Sequence, residues 1–470
     1  MKFNNLTIKK AKEGLLKKEF SAVDLLNAHL DKIEKLNGQL NAFITICKAS
    51  ALEQAKHVDK LISERQDLPL LGIPIALKDI YLTKGIETTA GSNVLKGYIP
   101  QYDATVVKKL KDAGAVIIGK TNLDAWAHGS SGENSDFGPT KNPWNEDFVP
   151  GGSSSGSAVS VSSQMALAST GTDTGGSIRL PASFTNTVGL KPTYGRVSRY
   201  GIVAMASSLD SIGHFTKTVE DSAILLGITA GKDKKDGTTA PIDVPNYQSH
   251  LDKDIKGIRI GIPKEYFISG MNPKVEENIE KAIKFYEENG AKIEEISLPH
   301  TEYAIACYYI IQPAEVSSNL ARYDGIRFGN DRDAFGAEAK RRIMLGTFTL
   351  SVGYFDAYYK KALKVRTLLI KDFEEAFKKV DAIIAPVSPT LPWRIGEKVD
   401  DPLAMYLSDV LTVTANITGH PGLSVPTGFA DGLPIGMQII GPHFKEELLF
   451  NLGHKYEKAH KWYERNPNDL

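Results

Sequence analysis

The sequence predicts an α/β fold built on a largely parallel or mixed β-sheet. Helical and strand patterns alternate along the chain, and the strand patterns are apolar on both sides, as expected for buried strands. In "ATVVKKLKDAGAVIIGK" (104–120), an amphipathic helix is followed by Gly114 and the apolar run "AVIIG". The same order recurs in "NPKVEENIEKAIKFYEENGAKIEEISL" (272–298). This alternation of helices with buried strands indicates the fold class.

The elements follow in order from the N-terminus. The first 65 residues are predicted to be helical, and "SAVDLLNAHLDKIEKLN" (21–37) has an apolar face with Ser21 as its N-cap and Asp24 three residues on. "LLGIPIALKDIYLT" (70–83) predicts a short buried strand, and "KVDAIIAPVSP" (379–389) predicts another one after a helix. The polar segment "GKDKKDGTTAPIDVPNYQSH" (231–250) predicts a surface loop. We expect one domain over 1–470, with a helical segment over 1–65, a central part over 70–230 and the remainder reaching 470.

The composition is that of an ordinary globular protein, with 42% hydrophobic and 24% charged residues among 470. A formal net charge of +0 gives no sign of a surface that binds nucleic acid or a membrane. Cys47 and Cys307 lie far apart and form neither a disulfide framework nor a metal-binding spacing, which favours a reducing compartment. The N-terminus lacks the apolar core of a signal peptide, so a soluble cytoplasmic protein is predicted.

The stretch "GGSSSGSAVSVSSQMALASTGTDTGGS" (151–177) combines nine serines and six glycines with an apolar middle. The first interpretation is a flexible linker, which has no use for that apolar middle. The second is a nucleophile elbow, since "GSSSG" (152–156) centres on Ser154, but no buried strand precedes it. The third is a glycine turn that opens a small-residue helix, followed by a buried strand and a second glycine turn, "TDTGGS" (172–177).

The second glycine turn suits a nucleophile. Gly175 and Gly176 allow backbone N–H groups to point at a developing oxyanion, and Ser177 ends the turn. No histidine is adjacent in sequence, but a serine can use a lysine as its base if burial keeps that lysine neutral. Lys78 ends the apolar strand in "GIPIALKD", where it is either such a base or a structural partner of Asp79. The residues alone leave both roles open.

These motifs resemble the amidase signature family over nearly the whole chain. "GGSSSGSA" and "GTDTGGSIRLPAS" resemble the family signature, and "GIPIALKDI", "GSSGENSDFGPTKNPWN" and "GLPIGMQIIG" are similar to further blocks of it. The resemblance implies one large α/β domain, a twisted mixed sheet with helices on both faces. It also implies a relay in which Ser177 is the acyl-forming nucleophile, Ser153 transfers a proton after a cis peptide bond, and Lys78 is the base.

The resemblance implies supporting roles as well. The backbone N–H groups of the turn would form the oxyanion hole, at Thr174, Gly175, Gly176 and Ser177. Asp173 and Arg179 would be the structural pair that braces this turn. Neither a metal nor another cofactor is implied in this chain. In the relay, neutral Lys78 would take a proton from Ser153, which takes one from Ser177, and the reverse path would protonate the leaving amine.

Other motifs are similar to one branch of the family, the A subunits of glutamyl-tRNA(Gln)/aspartyl-tRNA(Asn) amidotransferases: "PAEVSSNLARYDGIRFG", "KRRIMLGTF" and "YLSDVLTVTANITG". This resemblance implies glutamine hydrolysis that supplies ammonia for amidating Glu-tRNA(Gln) or Asp-tRNA(Asn). It implies a heterotrimer with a B subunit, which handles tRNA, ATP and Mg²⁺, and a small C subunit. Glutamine carries an α-carboxylate and an α-ammonium group, and the matched cation and anion are Arg342 and Asp409.

Several positions depart from the family pattern. Ser155 replaces a glycine, Leu180 replaces a glutamine, and His128 occupies a position that is more often apolar. The stretch over 329–338 is shorter than in this branch. We expect His128 to be a hydrogen-bonded residue of the pocket wall rather than a catalytic group. Two alternatives stay open: a stand-alone amidase for small or aliphatic amides, which needs no Arg342 and Asp409 pair, and a catalytically silent scaffold on the same fold.

Overall fold

Eleven strands form a single β-sheet among the residues that the computed structural model describes, which are 3, 5–323 and 329–467. They are β1 (Phe43–Ile46), β2 (Pro74–Lys78), β3 (Val116–Thr121), β4 (Ala168–Asp173), β5 (Val188–Lys191), β6 (Ser211–Thr216), β7 (Arg259–Pro263), β8 (Lys292–Ile296), β9 (Ala382–Pro386), β10 (Gly422–Ala430) and β11 (Leu433–Ile440). Their order across the sheet is β1-β3-β2-β4-β6-β5-β10-β11-β9-β7-β8. β2 is parallel to β3 and β4, β7 is parallel to β8 and β9, and the remaining pairs are antiparallel, so the sheet is mixed, as predicted.

Helices cover this sheet. Those in the described residues are α1 (Ile8–Leu16), α2 (Ala22–Leu40), α3 (Lys48–Ser63), α4 (Thr105–Asp112), α5 (Ser155–Ser162), α6 (Arg179–Thr185), α7 (Val219–Thr229), α8 (Pro273–Glu288), α9 (Ala304–Leu320), α10 (Ala337–Thr349), α11 (Lys360–Lys379), α12 (Pro402–Tyr406), α13 (Val413–Ile417) and α14 (Glu446–His460). β2, β3, β4, β9 and β11 are buried along their whole length, as strands covered on both faces are. The predicted α/β class is confirmed. None of the described helices is long and apolar enough to cross a membrane.

The N-terminal segment is helical as predicted, with one exception. α2 begins at a capping box, in which the Asp24 N–H donates to Ser21 Oγ at 3.0 Å and the Ser21 N–H donates to the Asp24 carboxylate at 3.0 Å. The exception is β1, which pairs antiparallel with β3. The prediction was wrong there because so short a strand depends on a partner far along the chain rather than on a local pattern.

The serine-rich stretch folds as a turn, a helix, a strand and a second turn, which is the third interpretation. All residues of α5 and β4 are buried, so a flexible linker is excluded. Serine hydroxyl groups bond to nearby backbone: Ser162 Oγ donates to the Thr185 carbonyl at 2.6 Å, and Ser169 Oγ donates to the Ser157 carbonyl at 2.7 Å. Small side chains therefore let α5 pack closely while their hydroxyls satisfy buried polar groups.

The C-terminal half adds a hairpin that the sequence reasoning did not predict, with β10 and β11 paired antiparallel. Residues 231–250 are mainly an exposed loop, as predicted, with buried anchors such as Tyr247. Positions 324–328 of the "RYDGIRFG" motif lie outside the described residues. The largest apolar core includes residues from Ile8 to Tyr456. That the chain forms one domain over 1–470 stays a prediction.

Candidate active site

Lys78 is the last residue of β2, and its ammonium group lies among hydroxyl groups. Its Nζ donates to Ser153 Oγ at 2.9 Å, to Ser154 Oγ at 2.9 Å and to Thr172 Oγ1 at 2.8 Å. Thr172 comes from β4, which pairs directly with β2, and the two serines precede α5. The strand end and the helix start therefore meet at one point, as the relay requires.

Burial changes the protonation of Lys78. The side chain is fully buried, and this lowers its pKa to about 7, although the carboxylates of Asp124 and Asp173 raise it in part. A lysine with such a pKa is neutral in a large fraction of molecules near pH 7. Asp79 pairs with Lys120 at 2.8 Å, so the structural interpretation of Lys78 as its partner is wrong.

Ser177 is the most accessible of the three relay residues, being 9% exposed where Lys78 and Ser153 are 0% exposed. The Ser154 N–H donates to the Ser177 carbonyl at 3.3 Å, which holds the two serine segments together. In the described part of the chain, the Ser177 hydroxyl makes no hydrogen bond to Ser153. The Gly152–Ser153 peptide bond is cis. Ser154 follows a loop rather than a strand, so no nucleophile elbow is formed.

One carboxylate organises the turn after β4. Asp173 Oδ1 accepts from the Gly176 N–H at 2.8 Å, and Asp173 Oδ2 accepts from the N–H groups of Ile178 at 3.2 Å and Arg179 at 3.3 Å. The buried Arg179 guanidinium pairs with Asp173 at 3.1 Å. Burial raises the pKa of Asp173, but the charge of Arg179 outweighs it and the pKa falls to about 2. Asp173 and Arg179 therefore brace this turn as a buried ion pair.

Three backbone donors of the turn have no hydrogen-bond partner among the described residues. Gly176 has a φ of 138°, and a Cβ there would overlap the Thr412 hydroxyl, so this position requires glycine. The Gly176 N–H is held by Asp173, which removes it from the predicted oxyanion hole. The N–H groups of Thr174, Gly175 and Ser177 donate to no other residue within the described ranges. These three groups are the donors available to an oxyanion.

Asp409 lies beside the same turn. Ser130 Oγ donates to its two carboxylate oxygens at 2.9 and 2.8 Å, and the Tyr309 hydroxyl donates to Oδ2 at 3.3 Å. The Thr412 N–H donates to the Asp409 carbonyl at 3.0 Å, and the Thr412 hydroxyl donates to the Gly175 carbonyl at 2.6 Å. Burial raises the pKa of Asp409 to about 7, although the Ser130 hydrogen bonds oppose this. Asp409 is thus a buried carboxylate joined to the glycine turn through Thr412.

Arg342 comes from α10 and is buried. Its Nε donates to Glu338 Oε1 at 2.8 Å, and its Nη1 donates to Gln312 Oε1 at 2.9 Å. Its guanidinium carbon lies 5.4 Å from the centre of the Tyr309 ring, and Tyr309 also contacts Asp409. The structure therefore brings the predicted cation and anion, Arg342 and Asp409, to two sides of one tyrosine.

A cavity of about 200 Å³ opens beside Arg342. Its lining includes Glu338, Arg341, Arg342, Lys398, Tyr406, His128, Ser131 and Asn134. Among the described residues, neither ring nitrogen of His128 has a hydrogen-bond partner, so the expected hydrogen bond of this histidine is wrong. Arg342 places a buried cation on the wall of this cavity, and the buried Asp409 carboxylate contacts the same tyrosine as Arg342, so the pair suits the two charges of a small zwitterion.

Sequence reasoning missed the groups that hold the predicted residues in place. Ser130 lies inside the quoted block "GSSGENSDFGPTKNPWN", so that block was a usable signal for it. Tyr309 and Gln312 lie in α9, an ordinary helical sequence without a local signal. Asp124 was also missed: its buried carboxylate accepts from the Gly132 N–H at 3.0 Å and raises the pKa of Lys78.

Two departures from the family pattern are accommodated without disturbing Lys78. Ser155 Oγ donates to Thr140 Oγ1 at 3.1 Å, which satisfies the added hydroxyl. Leu180 is buried in an apolar cluster with Phe184 and Trp393. Neither residue is hydrogen-bonded to Lys78 in the described part of the chain.

Comparison with known families fits this geometry. A sequence profile described as Amidase matches residues 24–450, a range that includes both glycine turns and all the candidate site residues. The chain belongs to the amidase family. Within the described ranges of this amidase, no group of three or more His, Cys, Asp or Glu side chains is placed to hold a metal ion.

Several relatives of this amidase share one name. The chain is 51% identical over 484 aligned positions to the A subunit of the glutamyl-tRNA(Gln) amidotransferase from Desulfatibacillum aliphaticivorans, with 100% of each chain covered. The crystal structure of the same subunit from Thermotoga maritima has a TM-score of 0.84 at 43% identity and covers 97% of this chain and 96% of that one. A bacterial aryl acylamidase of the amidase signature family has a TM-score of 0.89 at 26% identity, covering 99% of both chains. In sequence, the amidase is thus more similar to these amidotransferase subunits than to this acylamidase.

Proposed function

We propose that this chain is the glutaminase (A) component of a tRNA-dependent amidotransferase, and that Lys78, Ser153 and Ser177 carry out the hydrolysis. The observation that carries the proposal is the fully buried Lys78, which has a pKa of about 7 and lies 2.9 Å from the Ser153 hydroxyl. A buried lysine poised near neutrality is what a serine relay needs as its base. The names of the relatives supply the substrate class and the pathway.

The reaction begins at the hydroxyl of Ser177. Its oxygen attacks the amide carbon of glutamine, while its proton passes to Ser153 and the proton of Ser153 passes to neutral Lys78. The tetrahedral intermediate collapses as the C–N bond breaks, and the leaving nitrogen takes back a proton along the reverse path and departs as ammonia. Water then attacks the acyl-enzyme by the same route, which releases glutamate and restores Ser177.

The oxyanion of the intermediate is stabilised by backbone donors. The N–H groups of Thr174, Gly175 and Ser177 are the three that the turn leaves unused. Asp173 engages the Gly176 N–H at 2.8 Å, so Gly176 contributes by shaping the turn rather than by donating to the substrate. Preorganised donors in a buried site are a large part of the stabilisation of such an intermediate.

Glutamine is recognised by its α-amino-acid end. Arg342 binds the α-carboxylate and Asp409 binds the α-ammonium group, in both cases as buried ions of opposite charge to the group that they hold. A stand-alone amidase for simple amides has no need for this pair, and no relative described above favours that alternative over the amidotransferase branch. A silent scaffold has no need for a buried lysine against two serines.

The ammonia is passed to a partner. In this proposal a B subunit binds tRNA and uses ATP and Mg²⁺ to activate the glutamyl or aspartyl carboxyl group, while a small C subunit stabilises the assembly. The chain itself then needs no cofactor. Since this pathway charges tRNA for translation, the proposal places the complex in the cytoplasm.

A trapping experiment tests the assignment. The full chain is incubated with a glutamine analogue that forms a stable acyl-enzyme, and the labelled peptide is identified after digestion. The label is expected on Ser177, and it should disappear in Ser177→Ala. A label on Ser154 would revive the elbow interpretation and contradict the relay, and a chain that never releases glutamate from glutamine would contradict the proposed function.

A further inference from the structure

His128 is unlike the other buried histidines of the described chain. It is 0% exposed, yet neither Nδ1 nor Nε2 has a hydrogen-bond partner among the described residues. By contrast, His29 Nδ1 lies 3.1 Å from the Gln164 carbonyl and His214 Nε2 lies 2.7 Å from Ser222 Oγ. A buried ring with both nitrogens unsatisfied is costly, so the two groups call for a partner that is not part of this chain.

The backbone around His128 is held firmly. The two preceding residues, Trp126 and Ala127, have φ values of 60° and 63°, the left-handed region that favours glycine. The His128 N–H donates to the Ala125 carbonyl at 2.9 Å, and its own carbonyl accepts from Asn134 Nδ2 at 2.7 Å. Strained backbone that the surroundings maintain is typical of a functional position. The imidazole is therefore placed by the fold rather than left where it happens to fit.

The ring of His128 lines the cavity beside Arg342. His128 and Arg342 both line the space of about 200 Å³, and Arg342 is close enough to oppose protonation of the imidazole. Burial lowers the pKa of His128 well below its usual range, and the charge of Arg342 lowers it further. The ring is thus neutral and offers one N–H donor and one lone pair.

We propose that His128 is a substrate-binding residue whose ring N–H donates to the α-carboxylate that Arg342 holds. This inference rests on the proposed glutaminase function and deepens it, because it adds a second recognition group at the carboxylate end of the substrate. Arg342 already donates to Glu338 at 2.8 Å and to Gln312 at 2.9 Å, so its charge is partly balanced before substrate arrives. A neutral donor beside it adds affinity for the carboxylate without burying a second cation.

Two truncated amides test the inference. Glutaramate lacks only the α-ammonium group of glutamine, and γ-aminobutyramide lacks only its α-carboxylate. Ammonia release from both is measured with the full chain and with His128→Met, which keeps the volume but removes the donor. The ratio of kcat/KM for glutaramate to kcat/KM for γ-aminobutyramide should fall about ten- to hundred-fold in the variant. The fall should come from a higher KM for glutaramate.

Matched variants separate binding from folding. His128→Asn and His128→Gln keep an N–H near one ring nitrogen, and at least one of them should restore part of the ratio. His214→Met changes a buried histidine whose partner is Ser222, and it should leave the ratio unchanged even if it lowers the melting temperature. Arg342→Ala should lower the same ratio as His128→Met, since both residues act on the carboxylate.

The outcomes distinguish the inference from the proposed function. A parent protein with no preference for amides that carry the α-carboxylate would overturn the proposed function, and this inference with it. A parent with that preference, but with an unchanged ratio in His128→Met, would overturn this inference alone. An equal loss of kcat on glutamine and on both truncated amides would also overturn it, because His128 would then act on the chemical step or on folding.

Discussion

At the scale of single residues, burial shifts the pKa values of Lys78 and Asp409. It lowers the pKa of Lys78 to about 7 and raises that of Asp409 to about 7. Both groups therefore change charge in the physiological range, in which an ordinary lysine or aspartate does not titrate. In the proposed mechanism, Lys78 must be neutral to take a proton from Ser153, whereas Asp409 must be charged to bind an ammonium group. Both requirements are met above about pH 7.

The base is tested by removing it. Lys78→Ala should lower kcat on glutamine by about 10²- to 10⁴-fold, the range for loss of a general base. Lys191→Met is the matched control: Lys191 is also fully buried and burial lowers its pKa to about 7, but its Nζ donates to the Pro192 carbonyl at 3.0 Å and to Ser211 at 3.5 Å, and Ser211 is not part of the relay. Glutamate release and melting temperature are measured for both. Equal kcat losses in the two variants would contradict the assignment of Lys78.

The pH dependence of kcat/KM separates the two titrating groups. As pH falls below about 7, kcat/KM for glutamine should decrease with the uptake of two protons, because both Lys78 and Asp409 become protonated. Glutaramate has no ammonium group for Asp409 to bind, so its kcat/KM should fall with one proton. Above about pH 8, where both groups are mostly deprotonated, both profiles should level off. Identical limiting slopes for the two amides would mean that Asp409 does not bind the α-ammonium group.

Several of these residues could be predicted from sequence, and others could not. Lys78 and Ser177 stand in short motifs, an apolar strand and a glycine turn, which carry chemical meaning locally, whereas Ser153 was assigned by the resemblance to the family. Thr172 and Tyr309 bond to Lys78 and Asp409 only because the sheet and α9 bring remote segments together. The unsatisfied ring of His128 was also beyond the sequence, since a missing partner is visible only in the folded chain.

At the scale of elements, Arg179 joins the glycine turn at 172–177 to the helices and strands around it. From the start of α6, its Nη1 donates to Gln438 of β11 at 2.9 Å. Its Nη2 donates to the Thr412 carbonyl at 2.9 Å and to Asn416 Oδ1 of α13 at 2.7 Å. Together with Asp173 at the end of β4, this one side chain fixes the relative positions of α6, α13 and β11 around the turn.

Arg179→Met should therefore destabilise the fold as well as the turn. It leaves the Asp173 carboxylate buried without its cation, a loss of about 3–5 kcal/mol in the free energy of unfolding. Lys274→Ala, which removes one half of an exposed ion pair with Asp431, should cost about 1 kcal/mol or less. Denaturant unfolding at pH 7 measures both. Similar losses in the two variants would contradict the role of Arg179.

The Asp173–Arg179 ion pair also predicts how the stability of the fold changes in acid. The folded pKa of Asp173, about 2, lies below the value for an unfolded aspartate, about 3.9. Its stabilising contribution is therefore fully present above that unfolded value and is lost as pH falls towards 2.

Elements with local signals could be predicted and those that depend on remote pairing could not. α2 carries a capping box and an apolar face, and β9 is an apolar run after a helix, so both follow from their own residues. β1 pairs with β3, while β10 also pairs with β5 and β11 also pairs with β9, and these partners lie far apart in sequence, so only the folded sheet identifies them. The β10–β11 hairpin itself has a local signal that the sequence reasoning overlooked, because Asp431 and Gly432 form its two-residue turn.

At the scale of the whole molecule, the site draws on most of the chain. Its residues come from β2, β4, α9, α10 and the segment before α13, and residues from Ile8 to Tyr456 share the largest apolar core. A site assembled in this way is sensitive to small shifts between elements. Contact with a partner can therefore change the competent fraction of the site without adding any residue to it.

The proposed pathway predicts that partners control the hydrolysis. Free ammonia becomes ammonium in water at neutral pH and is then a poor nucleophile, so a transferase gains by restraining hydrolysis until an acceptor is ready. We expect slow glutamate release by the chain alone and faster release when the B and C subunits, ATP, Mg²⁺ and charged tRNA are present, with the tRNA added last. The rate gain is bounded by how much more tightly the partners bind the competent geometry. A complex with Ser177→Ala is the control: it should release no glutamate from glutamine, yet still amidate the tRNA when ammonium chloride is supplied. A chain that hydrolyses glutamine and unrelated small amides at full rate alone, and forms no complex, would instead be a stand-alone amidase.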